Sequence, residues 1–193
     1  KWAAEAKFLK AYYHFLLLTY YGPIPIVDEN LSISASDNEV RVKRETIDRS
    51  INYIVETIDE AIIDLPTRVL SSNDLGRVDQ VIAKAIKSRV LTYAASPLFN
   101  GNSEMYSSFI NEDGEHFFNQ SFDQSKWDLA AEASLDAINT ALQNGVSLYE
   151  YTSAPPSYED EYEDAEFIRK IYDLKYSIVD KWNSELIWGN SNP

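Results

Sequence analysis

The sequence predicts an all-α fold: antiparallel helix pairs joined by long loops, with little strand. Two observations carry that prediction. Apolar residues recur at three- and four-residue steps in five separate segments, the period of a helical face. These segments meet hard stops or runs of turn formers, at Gly22-Pro23, Pro66 and Asn144-Gly145 among others. With 193 residues, the chain is one large domain or a piece of something larger.

The first helix runs to Tyr21. Trp2, Ala6, Leu9, Tyr13, Leu16 and Tyr20 mark one stripe, and Phe8, Tyr12 and Phe15 mark a second beside it. Only Glu5, Lys7, Lys10 and His14 interrupt the apolar surface, so burial nearly all round is expected. Gly22 can take the left-handed conformation that ends a helix, and Pro23 cannot continue one. Ser32 to Glu39 is polar and reads as an exposed loop.

Ile47, Ile51, Ile54, Ile58, Ala61 and Leu65 form the stripe of a second helix, limited by Pro66. Ser71-Ser72-Asn73-Asp74 is a loop. A third helix, opened by Gly76-Arg77, carries Ile82, Ile86, Val90 and Tyr93, flanked by alanines that let a neighbour approach closely. Asn100 to Gln124 reads as a long mixed loop. Ser125 is placed to cap a fourth helix, with Asp128 in the capping-box position and Trp127, Ala131, Leu135, Ile138 and Leu142 as its buried stripe. Tyr149 to Glu166, with Pro155-Pro156 and an acidic run from Glu159 to Asp164, reads as a solvated extended loop. Phe167 to Val179 predicts one more helix, and Glu185 to Trp188 a short strand. The first two helices are expected to pair, as are the third and fourth. With Trp127-x-x-Ala130 near one helix start, such pairs resemble tetratricopeptide repeats, although no clean period of about 34 residues survives.

Composition excludes several functions. A formal net charge of −14 repels nucleic acid and anionic membrane surfaces. The absence of cysteine removes disulfides, zinc thiolates and thiol nucleophiles. No apolar run reaches the roughly 18 residues that span a bilayer, and no signal peptide is visible. His14 and His116 lack metal-ligand spacing, and His14 reads as a satisfied structural group on a buried helix. No nucleophile elbow, phosphate loop or dinucleotide fingerprint occurs. Glu5 and Asp28 are the carboxylates to weigh for hydrolysis, but Glu5 is better explained as a helix-start carboxylate. The acidic run has ligands a calcium ion would accept, yet lacks the loop spacing that converges them. No cofactor, metal or catalytic residue is expected.

Binding is better supported. The chain carries 13 Tyr and four Trp, and aromatic faces stack on the C–H faces of sugars. Trp2, Tyr12, Tyr13 and Trp127 sit on the stripes expected to be core. Tyr106, Phe109 and Asn102 lie in the long loop, and Tyr149, Tyr151, Tyr158 and Tyr162 in the acidic one. Trp182, Trp188 and Asn190 lie near the end, in a sequence with the chemistry of a sugar platform. The candidate ligand-binding residues are Trp182, Trp188, Asn190, Tyr106 and Asn102.

The first helix also carries a family resemblance. Glu5-Ala6-Lys7-Phe8-Leu9-Lys10-Ala11-Tyr12-Tyr13-His14-Phe15, followed by Tyr21-Gly22-Pro23-Ile24-Pro25-Ile26, resembles the motif of SusD/RagB lipoproteins of Bacteroidetes outer membranes. Ala4 stands where that family usually has Gly, and Lys10 where it has Arg. Leu65-Pro66, the run from Leu91 to Gly101, Trp127-x-x-Ala130 and Asn183-Ser184-Glu185-Leu186-Ile187 match further family marks in order. The resemblance implies that residues 1–193 form the central helical portion of a single SusD-like domain from a longer chain. It implies non-catalytic capture of an oligosaccharide at the cell surface, at the outer membrane, and delivery to a TonB-dependent barrel of the SusC type. Membrane attachment would be only through an N-terminal lipid anchor upstream of this fragment. Capture of peptide, as in RagB-like relatives, and a helical scaffold that binds another protein are the alternatives.

Overall fold

A computed structural model describes residues 1–153 and 165–189. Along these residues the chain folds into α1 (Trp2–Tyr21), α2 (Asp37–Val40), α3 (Ile47–Asp64), α4 (Gln80–Ala95), α5 (Ser103–Tyr106), α6 (Gln124–Gln143) and α7 (Ala165–Val179). The expected all-α class holds. The five long helices are the five foreseen from periodicity, and the two short ones fall in segments expected to be loops.

α1 packs on α3, α3 on α4, and α4 on α6. Each pair is antiparallel, as cross-helix partners show. Lys7 meets Glu60 while His14 meets Tyr53 between α1 and α3. Lys84 reaches Asp136 while Ser88 meets Ser134 between α4 and α6. The expected pairings, first with second and third with fourth, therefore hold. Ile47, Ile51, Ile54, Ile58, Ala61 and Leu65 are all buried, as their spacing predicts.

Two faces were misassigned from sequence. On α1, the buried residues are Ala4, Phe8, Ala11, His14, Phe15 and Leu18. The stripe led by Trp2, Tyr13 and Tyr20 is instead exposed, at 76%, 58% and 78%, so the helix is not buried all round. The side-chain chemistry explains the choice. Phe8, Phe15 and Leu18 carry no polar atom, whereas each tyrosine would need a partner for its hydroxyl in the core. On α6, the foreseen stripe of Trp127, Leu135, Ile138 and Leu142 is exposed, and Ala131 with it. Ala130, Thr140 and Ala141 are buried there instead. The small residues win because the alanine-rich α4 comes close, with the Ser88 and Ser134 hydroxyls 2.8 Å apart.

Three local readings also change. Asp123, not Ser125, caps α6: its carboxylate accepts from the Ser125 backbone N–H at 2.9 Å and from the Ser125 hydroxyl at 2.7 Å. These bonds hold the Asp123 carboxyl below its usual range. Residues 185–188 form no strand. The Asn183 side chain accepts from the Glu185 and Leu186 N–H groups, which a strand partner would otherwise require. The segment from Asn100 to Gln124 is more ordered than a plain loop. It contains α5 and bridges Asn100 to Asn119 and Ile110 to His116, and it buries Phe117 and Phe118 in the core.

Gly101 is what lets that segment close. Its φ is +83°, and a Cβ there would lie 2.4 Å from the Phe122 backbone nitrogen. Gly101→Ala is therefore expected to destabilise the full-length protein by more than about 2 kcal/mol in urea denaturation. A change below about 0.5 kcal/mol would contradict this packing.

The Pro-rich turn after α1 is pinned from behind. His14 is buried; its Nδ1–H donates to the Lys10 carbonyl at 2.8 Å, and Nε2 accepts from the Val27 N–H at 3.2 Å. The expected structural role of His14 is what the geometry shows. Asp28 accepts from Lys10 Nζ at 2.6 Å and from the Tyr53 hydroxyl at 2.9 Å. Lys10 first, then Tyr53, holds its carboxyl below the usual range. A depressed carboxyl stabilises the fold above its unfolded value of about 4 and loses that contribution as pH falls through the folded value. The Val27 and Asp28 amide resonances should therefore titrate below about pH 4 in NMR spectra, and Asp28→Asn should abolish that transition.

Candidate functional site

α1 places Leu9, Tyr12 and Tyr13 side by side, because residues three and four apart share a helical face. Opposite them lies the turn Leu75-Gly76-Arg77, and Trp188-Gly189 closes the third side. Together these residues line an open groove of about 530 Å³.

Trp188 is the anchor. Its ring meets Tyr12 edge-on at 5.0 Å and Phe8 edge-on at 5.8 Å. Its indole N–H donates to the Gly76 carbonyl at 3.1 Å. The ring is thus held in one orientation between α1 and the 75–77 turn, half-buried. Tyr12 and Tyr13 add rings whose centroids are 6.1 Å apart, and Tyr13 remains 58% exposed. Arg77 supplies the polar edge. Its Nε donates to Glu5 Oε2 at 3.2 Å and its Nη2 to Glu5 Oε1 at 2.8 Å. Nη1 donates to Asp74 at 3.0 Å. Asp74 first, then Glu5, raises the guanidinium above its ordinary value. Glu5 is thus both a first-turn carboxylate and the partner of Arg77.

Of the residues picked out from sequence, Trp188 lines this groove. Trp182 is half-buried at φ 55° in the turn after α7 and does not line it. Asn190 lies outside the described residues. Tyr106 stacks face to face on Phe118 at 3.9 Å and 8°. Asn102 caps α5, its carbonyl oxygen accepting from the Met105 N–H at 3.2 Å. Tyr12, Tyr13 and Arg77 were not among those picked out. The sequence reading places Tyr12 and Tyr13 in the core. Tyr12 shares its stripe with the buried Phe8 and Phe15 yet is only half-buried, and the hydroxyl is the signal that sets both tyrosines apart from those phenylalanines.

Tyr149 and Tyr151 also have partners. The Tyr149 hydroxyl donates to Asp180, which pushes its pKa up to about 12. Tyr151 stacks on Tyr176 at 4.4 Å. Tyr158, Tyr162 and the acidic run considered for calcium lie outside the described residues. Among the described residues, no three His, Asp or Glu side chains converge as a metal site. None of the described helices is long and apolar enough to cross a membrane. Glu5 and Asp28 are engaged by different cations, Arg77 and Lys10.

Residues 1–91 match the SusD-like_3 family model, described as starch-binding associating with outer membrane. A solved structure named BT4246 is 33% identical and superimposes on 100% of this chain with a TM-score of 0.85. The chain belongs to the SusD-like family. It spans 35% of the length of BT4246. Two solved structures from Bacteroides fragilis NCTC 9343 share the fold at lower identity. The SusD-like protein BF3747 is 19% identical over 78% of this chain and 22% of its own, with a TM-score of 0.53. The SusD-like carbohydrate binding protein BF0978 is 20% identical over 76% and 22%, with a TM-score of 0.51. No curated protein matches this SusD-like chain.

Proposed function

We propose that the groove between α1, the 75–77 turn and Trp188 binds an oligosaccharide without catalysis. The observation that carries this reading is the oriented Trp188 ring beside the half-buried Tyr12 and exposed Tyr13, with Arg77 along the rim. Aromatic rings offer apolar faces to sugar C–H groups, and the tyrosine hydroxyls and guanidinium offer hydrogen bonds to sugar hydroxyls. The family description, starch-binding in association with the outer membrane, supports the same ligand class and location.

In this reading residues 1–193 are the central helical portion of one SusD-like domain in a longer, lipid-anchored chain. That protein sits at the cell surface and passes its glycan to a TonB-dependent, SusC-like barrel. Isothermal titration of the full-length protein against a polysaccharide panel tests the ligand class: at least one glycan binds. Silence across the panel with binding of peptides overturns it in favour of a peptide-capturing lid. A helical scaffold that docks another protein is the second reading. The apolar outer face of α6, with Trp127, Leu135, Ile138 and Leu142 exposed, favours it.

A further inference from the structure

We infer that this groove selects uncharged oligosaccharides and rejects acidic ones, such as uronate-bearing or sulfated chains. The inference rests on the groove being the glycan site. Arg77 is the one charged residue among the described groove-lining residues, so it is the natural partner for an anionic sugar. It is already committed. Glu5 holds it in a two-pronged contact, and Asp74 takes a third donor at 3.0 Å. A bidentate carboxylate is the strongest partner an arginine finds, and a sugar acid would have to displace one.

The local charge points the same way. Arg77 with Glu5 and Asp74 sums to one net negative charge at the rim. The lysines of α1 nearest in sequence are committed too: Lys7 pairs with Glu60 and Lys10 with Asp28. The whole chain carries −14, which adds repulsion at longer range. A neutral sugar meets none of these penalties. It needs aromatic faces and donors for its hydroxyls, and the remaining Arg77 N–H groups and the tyrosine hydroxyls supply those.

The test is binding of the full-length protein to neutral glucans, mannans and xylans beside polygalacturonate, alginate and chondroitin sulfate. Neutral polymers are expected to bind with an affinity insensitive to salt, and acidic polymers at least about tenfold more weakly at low salt. The double variant Glu5→Gln/Asp74→Asn leaves Arg77 unopposed and should gain about tenfold for acidic polymers. Adding Arg77→Gln should cancel that gain, with thermal melting to confirm that each variant folds. Tighter binding to an acidic polymer, lost in Trp188→Ala, overturns the selectivity and leaves the groove as the site. Glycan binding untouched by both Trp188→Ala and Tyr13→Ala overturns the groove itself, and the selectivity with it.

Discussion

Trp188→Ala is expected to lower glycan affinity of the full-length protein by at least tenfold, about 1.4 kcal/mol. The ring is pre-oriented: two edge-on aromatic contacts and the N–H bond to Gly76 fix it before any ligand arrives. Little rotamer freedom is then lost on binding, which is what makes a buried-edge aromatic an anchor. The substitution also removes packing against Phe8, so part of any effect could come through a loosened groove. Tyr13→Ala separates the two causes. Tyr13 is exposed, with Tyr12 as its ring contact, so its loss should weaken binding severalfold while leaving the melting temperature within about 1 °C. Trp127→Ala, on the outer face of α6, should leave glycan affinity unchanged. Equal affinities in wild type, Trp188→Ala and Tyr13→Ala, measured by titration calorimetry, would remove the groove from consideration.

Asp79→Ala should cost about 3 kcal/mol of stability. Asp79 is a fully buried carboxylate, 1% exposed, at the N-cap of α4. Oδ1 accepts from the Ile82 N–H at 3.0 Å, closing the first turn. Oδ2 accepts from the Val69 N–H at 3.1 Å and faces Arg68 Nη1 at 3.5 Å. One side chain thus joins the start of α4 to the segment that follows α3. Alanine leaves two backbone donors without acceptors and Arg68 without its carboxylate, and each unpaired buried group carries its desolvation penalty. Asp79→Asn keeps one acceptor oxygen for the cap and should cost about half as much. Urea denaturation of both variants measures the difference. A loss under about 1 kcal/mol for alanine would show that water replaces the carboxylate at this joint.

The two predictions draw on different parts of the molecule, yet both concern side chains that tie helices to connecting segments. Asp79 secures the α3–α4 connection, and Arg77, two residues earlier, turns back to Glu5 on α1. Just before Arg77, Gly76 presents the carbonyl that receives Trp188. The groove is built where the antiparallel stack meets its connections, and the rigid helices set its spacing.

The sequence by itself determined the five long helices. Pro23 and Pro66 have no N–H with which to continue a helix, Gly22 and Gly145 take the positive φ that ends one, and α3 wears its buried face openly as Ile, Ile, Ile, Ile, Ala, Leu. It also carried the family motif and Trp188, the one candidate among the described residues that lines the groove. Only the tertiary structure decided which face of an all-round apolar helix is dry. On α1, periodicity allowed two stripes, and packing buried the phenylalanines, left Tyr12 half-buried beside them and left Tyr13 exposed at the groove. On α6, the large apolar residues looked like core, but the close approach of α4 demanded Ala130, Thr140 and Ala141. Period tells which residues share a face; the size and polarity of the partner surface decide which face is used. Glu5 meeting Arg77 across 72 positions, and Trp188 meeting Gly76 across 112, left no local trace, because each residue's neighbours in sequence are satisfied without the other.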